Sequence, residues 1–322
     1  MSLEIVELHD ESCGSRAKIL AGFGFNCYSF QSTAAGRPVE ALWSVPNFES
    51  GRERPSRSGI PILFPFPGRI AGSTFNFQGR SYPLEPSDAF GNAIHGFVLN
   101  RPWKVIEQSP RRVVGQFQAS EVDPTILTRW PSDFRLTVTY ELRGNTLHSE
   151  FEAFNPGQGP LPIGLGTHAY FRVPLAPGGQ ADDCRVTVPA GEYWELKDML
   201  ATGRRLPVPA EKDLRGGMSF GQTHLDDVLS GLTFDRGRST ASIDDPASGL
   251  RLSVSFGDAF RECVVFNAPH REAICIEPYT CVPDAWRLQA AGVDAGARVL
   301  APGETFRAVI DIGVESSRAG AA

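Results

Sequence analysis

Two adjoining stretches, Arg135-Leu136-Thr137-Val138-Thr139-Tyr140-Glu141-Leu142 and Thr146-Leu147-His148-Ser149-Glu150-Phe151-Glu152-Ala153-Phe154, alternate apolar with polar side chains, and only Arg143-Gly144-Asn145 separates them. Period-two alternation puts one face of a strand into a core and the other into water, and a short Gly/Asn connection turns the chain straight back. The pair reads as an antiparallel hairpin. Working outward, strand-like runs return at 113–119, 251–256, 263–266, 273–276 and 305–312, with turn signals at Ala176-Pro177-Gly178-Gly179, Asp244-Asp245-Pro246 and Ala301-Pro302-Gly303-Glu304. Short strands at such spacing predict an all-β fold, an antiparallel sandwich or barrel. Segments 45–70 and 196–222 are rich in Pro, Gly and Arg and are expected to be loops with at most a short helical turn.

Composition points the same way. The 322 residues include 33 glycines and 25 prolines, above the ~7% and ~5% of average usage. Both residues weaken helix interiors, and here they are spread along the chain, which argues against a helical bundle, coiled coil or helical solenoid. The length allows two domains, but no repeat, linker or composition shift marks a boundary. One domain spanning 1–322 is expected, with roughly the last eight residues a flexible tail.

The net charge is −6, and no block of five like charges occurs. That excludes a basic nucleic-acid stripe and a polybasic membrane anchor. Only four lysines (Lys18, Lys104, Lys197, Lys212) are present, so a Schiff-base mechanism has few candidates. The start, Met1-Ser2-Leu3-Glu4-Ile5-Val6-Glu7, lacks a basic region followed by an apolar core, and no run approaches the ~18 apolar residues of a membrane span. The six cysteines (13, 27, 184, 263, 275, 281) form no CxxC pair and do not read as a disulfide framework. A cytoplasmic protein with reduced thiols, monomeric or homodimeric, is expected.

Three familiar motifs fail. Gly164-Leu165-Gly166-Thr167-His168-Ala169 fits the dinucleotide pattern G-x-G-x-x-A, but Pro174 and Pro177 leave no room for the helix that must follow. Metal-ligand spacings such as H-x-x-x-H and H-E-x-x-H are missing, as is a G-x-S-x-G elbow. His9, His148 and His270 sit in surface-like contexts. His95, His168 and His224 are in glycine-flanked loops, and Glu277 closes the apolar run Ala273-Ile274-Cys275-Ile276 just before Pro278, which is expected to end the strand. A carboxylate at the end of a buried strand is costly unless paired or hydrogen-bonded, which makes it a functional candidate. Taken singly, each histidine is more often a turn residue, and the glutamate more often a solvated edge group.

Five ordered segments carry a resemblance: Pro65-Phe66-Pro67-Gly68-Arg69-Ile70, Asn92-Ala93-Ile94-His95-Gly96-Phe97, Gly166-Thr167-His168-Ala169-Tyr170-Phe171, Leu225-Asp226-Asp227-Val228, and Cys275-Ile276-Glu277-Pro278-Tyr279 with Pro283-Asp284-Ala285. In that order they resemble the aldose 1-epimerase (galactose mutarotase-like) family. The resemblance implies one large antiparallel β-sandwich and interconversion of the α and β anomers of a sugar without metal or organic cofactor. It implies Glu277 as general base on the anomeric hydroxyl and His168 as general acid on the ring oxygen. It also implies Arg69 and His95 as hydrogen-bond partners near that oxygen, and Asp226 as a ligand of the secondary hydroxyls, with Asp227 leaving the register open. Trp286, next to Pro283-Asp284-Ala285, is a candidate stacking surface for the sugar, although a core aromatic is at least as common there; Trp43 and Trp130 have weaker claims. The Gly68-Arg69-Ile70 run is closer to the free-aldose branch. Gly59-Ile60-Pro61 resembles the hexose-6-phosphate branch, where Arg57, Arg80 or Arg101 would meet the phosphate. A non-catalytic carbohydrate-binding protein on the same sandwich is the reading from a different class.

Overall fold

A computed structural model of the chain describes residues 3–317. The hairpin expected over 135–154 forms. Arg135–Arg143 pairs with Thr146–Phe154 in antiparallel register, Arg143 opposite Thr146, around a Gly144-Asn145 turn. It lies inside a nine-stranded sheet in the order Lys104–Gln108, Arg112–Gln118, Arg135–Arg143, Thr146–Phe154, Thr305–Ser316, Leu250–Gly257, Arg238–Asp245, Arg185–Thr187, Met218–Ser219. An eight-stranded sheet runs Leu200–Pro207, Ala190–Lys197, Asp226–Leu232, Glu262–Asn267, Ala273–Tyr279, Gly166–Thr167, Ile62–Leu63, with Tyr170–Arg172 also on Ala273–Tyr279. Ile5–Asp10, Ser15–Leu20, Asn26–Ser32 and Val39–Glu40 make a four-stranded sheet. The two α-helices among the described residues, Ala119–Val122 and Ala285–Ala290, are short.

Alternation explains the sandwich. Phe117, Leu136, Val138, Phe151, Val254 and Ile310 of the large sheet share one buried cluster with Leu229, Cys263, Val265, Ile274 and Ile276 of the eight-stranded sheet. That cluster runs from Val6 to Val314. Each fully buried Leu, Ile, Val or Phe contributes roughly 1.5–3 kcal/mol, so this shared core is the main cohesive force between the sheets.

The opposite face of the eight-stranded sheet is also covered. Val264 lies across from Glu277 and Phe266 from Cys275, while Asp226 lies across from Phe266 and Val228 from Val264. These residues therefore project away from the shared core. With both faces covered, all seven residues of Ala273–Tyr279 are buried.

Four expectations are corrected. Segment 196–222 holds the strand Leu200–Pro207, paired with Ala190–Lys197 across Asp198 and Met199, both at positive φ. It is an edge strand in which only Ala201 is buried, so its arginines masked the alternation. Segment 45–70 contains the short strands Ile62–Leu63 and Arg69–Ile70. Pro278 does not end its strand, which continues to Tyr279. The neighbours on that side are Tyr170–Arg172 against residues 273–275 and Gly166 against Tyr279. Between those pairings the ladder is open, and a residue without an N–H is tolerated. Of the expected tail, residues 318–322 lie outside the described residues, and Glu315 and Ser316 still belong to the last strand.

Candidate active site

A cavity of about 670 Å³ opens on the outer face of the eight-stranded sheet, at the ladder gap beside Glu277. Its lining includes Arg69, His95, His168, Asp226, Glu277 and Tyr279. Five of the six residues singled out from the sequence thus share one cavity, although they span positions 69 to 277.

Glu277 is 1% exposed, and its Oε2 accepts a 2.8 Å hydrogen bond from the Tyr279 hydroxyl. On a strand, residues two apart point the same way, so the tyrosine directs its hydroxyl at the carboxylate from the same face. The ring needs room, and Gly166 supplies it: a Cβ there would lie 2.5 Å from the Tyr279 ring. Oε1 has no hydrogen-bond partner and sits 3.3 Å from Nε2 of His168.

His168 leaves the short strand Gly166–Thr167 with its backbone N–H bonded to the Pro61 carbonyl. Its ring stacks on Tyr170 (5.0 Å, 11°) and meets Phe266 edge-on. Burial is the main cause of both perturbed pKa values: it lifts Glu277 well above the carboxylate range and pulls His168 down to about 4. Tyr279 and the Arg69 charge partly oppose the rise at Glu277, whereas Asp226 adds to it.

His95 occupies a left-handed backbone position, φ 67°, followed by Gly96 at φ 74°. Only glycine fits at 96, because a Cβ would lie 2.0 Å from the Phe64 carbonyl oxygen. The turn aims Nδ1 at the Gly68 N–H, from which it accepts a 3.3 Å hydrogen bond. Burial first, then the neighbouring His168 and Arg69 charges, hold His95 well below the usual imidazole range. A neutral imidazole that accepts at Nδ1 carries its proton on Nε2, so His95 is a hydrogen-bond donor.

Arg69 pairs in the ladder with Ile94, next to His95, and its Nε donates to Asp88 Oδ2 at 2.8 Å. Asp88 also accepts from the backbone and side-chain N–H groups of Asn92. Burial opposes the Asp88 charge, but these donors outweigh it and keep the pKa low. The guanidinium is pinned through one edge of its fork. Asp226 is reached by solvent from the cavity; desolvation raises its pKa, with Arg69 opposing. Asp227 points to the other face, where Lys212 Nζ donates to it at 2.7 Å.

Trp286 is not part of the lining. Its indole packs edge-on against Phe75 (5.2 Å) and Trp130 (5.9 Å), so the structure gives it a packing role in place of the expected sugar platform. His224 is exposed and also lies off the cavity wall. Two histidines read as surface-like are otherwise engaged. His148 is buried against Asp311 at 2.6 Å, and His270 stacks on Trp43 (4.1 Å, 18°) at the cavity wall. Tyr279, Asp88 and Phe266 were not singled out from sequence. Of these, only Tyr279 had a local signal, two residues from Glu277 on a strand.

The donors that could hold a metal ion also converge here: a ring nitrogen of His168, Sγ of Cys275 and a carboxylate oxygen of Glu277 lie within 4.8 Å of one another. Spacing along the chain did not reveal them, because two come from one strand and the third from a distant loop.

Residues 6–313 match the model of the family described as aldose 1-epimerase. The chain is 23% identical to YphB of Escherichia coli strain K12 over 297 residues, 87% of this chain and 93% of that protein. It is 30% identical to human galactose mutarotase over 165 residues, 49% of this chain and 45% of that one. Among solved structures, a galactose mutarotase-like protein from Clostridium acetobutylicum superposes with a TM-score of 0.84 at 24% identity, covering 98% of this chain and 99% of that one. The GalM/aldose epimerase homologue from C. elegans gives 0.80 at 20% identity, covering 97% and 99%. Both structures share the antiparallel sandwich.

Proposed function

The chain belongs to the aldose 1-epimerase family, and from that premise we propose that it interconverts the α and β anomers of a free aldohexose by acid–base opening and reclosure of the ring. The observation that carries this is the Glu277–His168 pair: a carboxylate oxygen without a partner, 3.3 Å from an imidazole nitrogen, at the wall of an open cavity.

Ring opening removes a proton from the anomeric hydroxyl and delivers one to the ring oxygen. The pair needs a single proton for this. With Glu277 as carboxylate and His168 as imidazolium, the base accepts at Oε1 while the acid donates from Nε2, leaving an open-chain aldehyde, a carboxylic acid and a neutral imidazole. Rotation about the C1–C2 bond presents the other carbonyl face, and the two transfers run backwards. Burial favours the uncharged form of the pair, and the two forms differ only by moving one proton between neighbouring groups. A positioned acid or base typically contributes 10²–10⁴-fold. In this mechanism the Nε2–H of His95 and the free nitrogens of Arg69 donate near the ring oxygen, and Asp226 accepts from secondary hydroxyls.

The lining holds Arg54 and Arg57 besides Arg69, so the preference for an unphosphorylated sugar rests on where the other expected arginines lie. Of the three arginines expected for a phosphate, only Arg57 lines the cavity, while Arg101 is held by Asp123 at 2.6 Å and by the Phe97 carbonyl. The six cysteines, unpaired and five of them buried, suit work in the reducing cytoplasm.

Polarimetry of freshly dissolved α-glucose and α-galactose tests the assignment. The wild type is expected to speed the approach to anomeric equilibrium, and Glu277→Gln and His168→Asn each to lose at least ~100-fold. Acceleration of sugar 6-phosphates alone would move the substrate to the phosphorylated class. No acceleration with either class leaves a carbohydrate-binding protein, and full rate in both variants would sink the residue roles.

A further inference from the structure

Cys275 takes no part in the mechanism above; it lies behind the cavity lining, on the same face of the strand as Glu277. It is fully buried one pleat from Glu277, and Tyr170 lies opposite it in the ladder. We propose that His168, Cys275 and Glu277 form an inhibitory site for a soft divalent cation such as Zn²⁺ or Cd²⁺, at the point where the epimerase holds its acid and base. The inhibition rests on the function proposed above, whereas the binding does not.

Three observations support the site. The three donor atoms lie within 4.8 Å of one another, close enough for one ion to gather them. Glu277 Oε1 is buried and without a hydrogen-bond partner, so one ligand is free before any ion arrives. The donor set is thiolate, imidazole and carboxylate, a combination suited to Zn²⁺ and Cd²⁺; Mg²⁺ and Ca²⁺ prefer all-oxygen shells. Three protein ligands leave one position of a tetrahedral shell for water or a small anion.

Charge balance favours a dication. Before binding, the pair holds one proton and the Cys275 thiol another. When the ion binds, both protons leave, and a +2 charge faces one thiolate and one carboxylate. The site is neutral before and after, which limits the cost of the exchange in a buried setting. Because protons are released, binding tightens as pH rises. The ion occupies the lone pairs that Glu277 and His168 need for proton transfer, so the bound enzyme is inactive toward sugar.

Cd²⁺ titration followed at the ultraviolet thiolate-to-cadmium charge-transfer band tests this without reference to catalysis. A Cys13→Ser background removes the one cysteine that is not buried. One band per chain is expected, lost on further change of Cys275→Ser. Zn²⁺ should inhibit the epimerase in competition with sugar, and Cys275→Ser should weaken that inhibition by more than about tenfold while the metal-free rate stays at the wild-type level. If Cys275→Ser does not fold, proton release from the Cys13→Ser protein decides: about two protons per ion are expected near neutral pH. A band that survives Cys275→Ser, Zn²⁺ inhibition unchanged by it, or no proton release would overturn the site. A band in a protein that accelerates no sugar would uphold the site and refute the epimerase instead.

Discussion

Removing the Tyr279 hydroxyl is the most direct probe of how the base is tuned. In Tyr279→Phe the ring keeps its place over Gly166, and only the 2.8 Å donation to Glu277 is lost. A hydrogen bond to a charged group contributes about 1.5–3 kcal/mol, and most of that is withdrawn from the carboxylate form. The form that starts the reaction, carboxylate with imidazolium, then becomes rarer relative to the uncharged pair. At 1.36 kcal/mol per factor of ten, kcat/KM should fall roughly 10–100-fold, mainly through kcat. The sign of the pH effect follows from the same loss. Without the donor, Glu277 holds its proton more tightly, so the alkaline limb of the pH–rate profile, where the pair loses its last proton, moves to higher pH. Polarimetric rates across pH measure both quantities, and a thermal melt checks that the variant is folded. A wild-type rate, a loss confined to KM, or an alkaline limb displaced to lower pH would rule out this role for the Tyr279 hydroxyl.

Asp226→Asn should raise KM by about tenfold or more, through loss of a charged acceptor. Asp227→Asn should leave KM alone and cost at most ~1 kcal/mol of stability, because its partner Lys212 is part-exposed; the reverse pattern would exchange the two roles. Trp286→Phe should not change KM but should lower stability by about 1–3 kcal/mol, a packing loss visible in a denaturant melt. Glu262, buried beneath Trp194 and accepting its indole N–H at 3.0 Å, has its pKa lifted by burial from 4.5 to about 7. The folded protein therefore binds this proton more readily than the unfolded chain, and stability falls as pH rises between those values by about 3 kcal/mol. In Glu262→Gln that component vanishes, so the stability gained over wild type should grow between those pH values and then level off. A gain that does not vary with pH would show that Glu262 does not titrate there.

The sandwich was legible wherever a strand has one face in a core and one in water, as in 135–142 and 146–154. It was illegible in Leu200–Pro207, whose edge position leaves Ala201 as its single buried residue. It was misread at Pro278, where the open ladder that admits a proline depends on strands from residues 166–172. His95 and His168 stand in short motifs that local backbone demands make distinctive: Gly96 against the Phe64 carbonyl, Gly166 under the Tyr279 ring. Trp286 was misplaced because an aromatic beside a loop gives no sign, in sequence, of which way its helix turns it.

Periodicity and residue identity are local properties, so the class of fold and the chemical types present can be read along the chain. Tertiary structure alone decided which of those residues meet. The Asp226 side chain faces the cavity and that of Asp227 faces Lys212 because successive strand residues alternate faces. Glu277 and His168, 109 positions apart in the chain, come within 3.3 Å only because the strand carrying one borders the loop carrying the other. The perturbed pKa values belong to the fold as well, because they come mainly from burial, which no single stretch of sequence specifies.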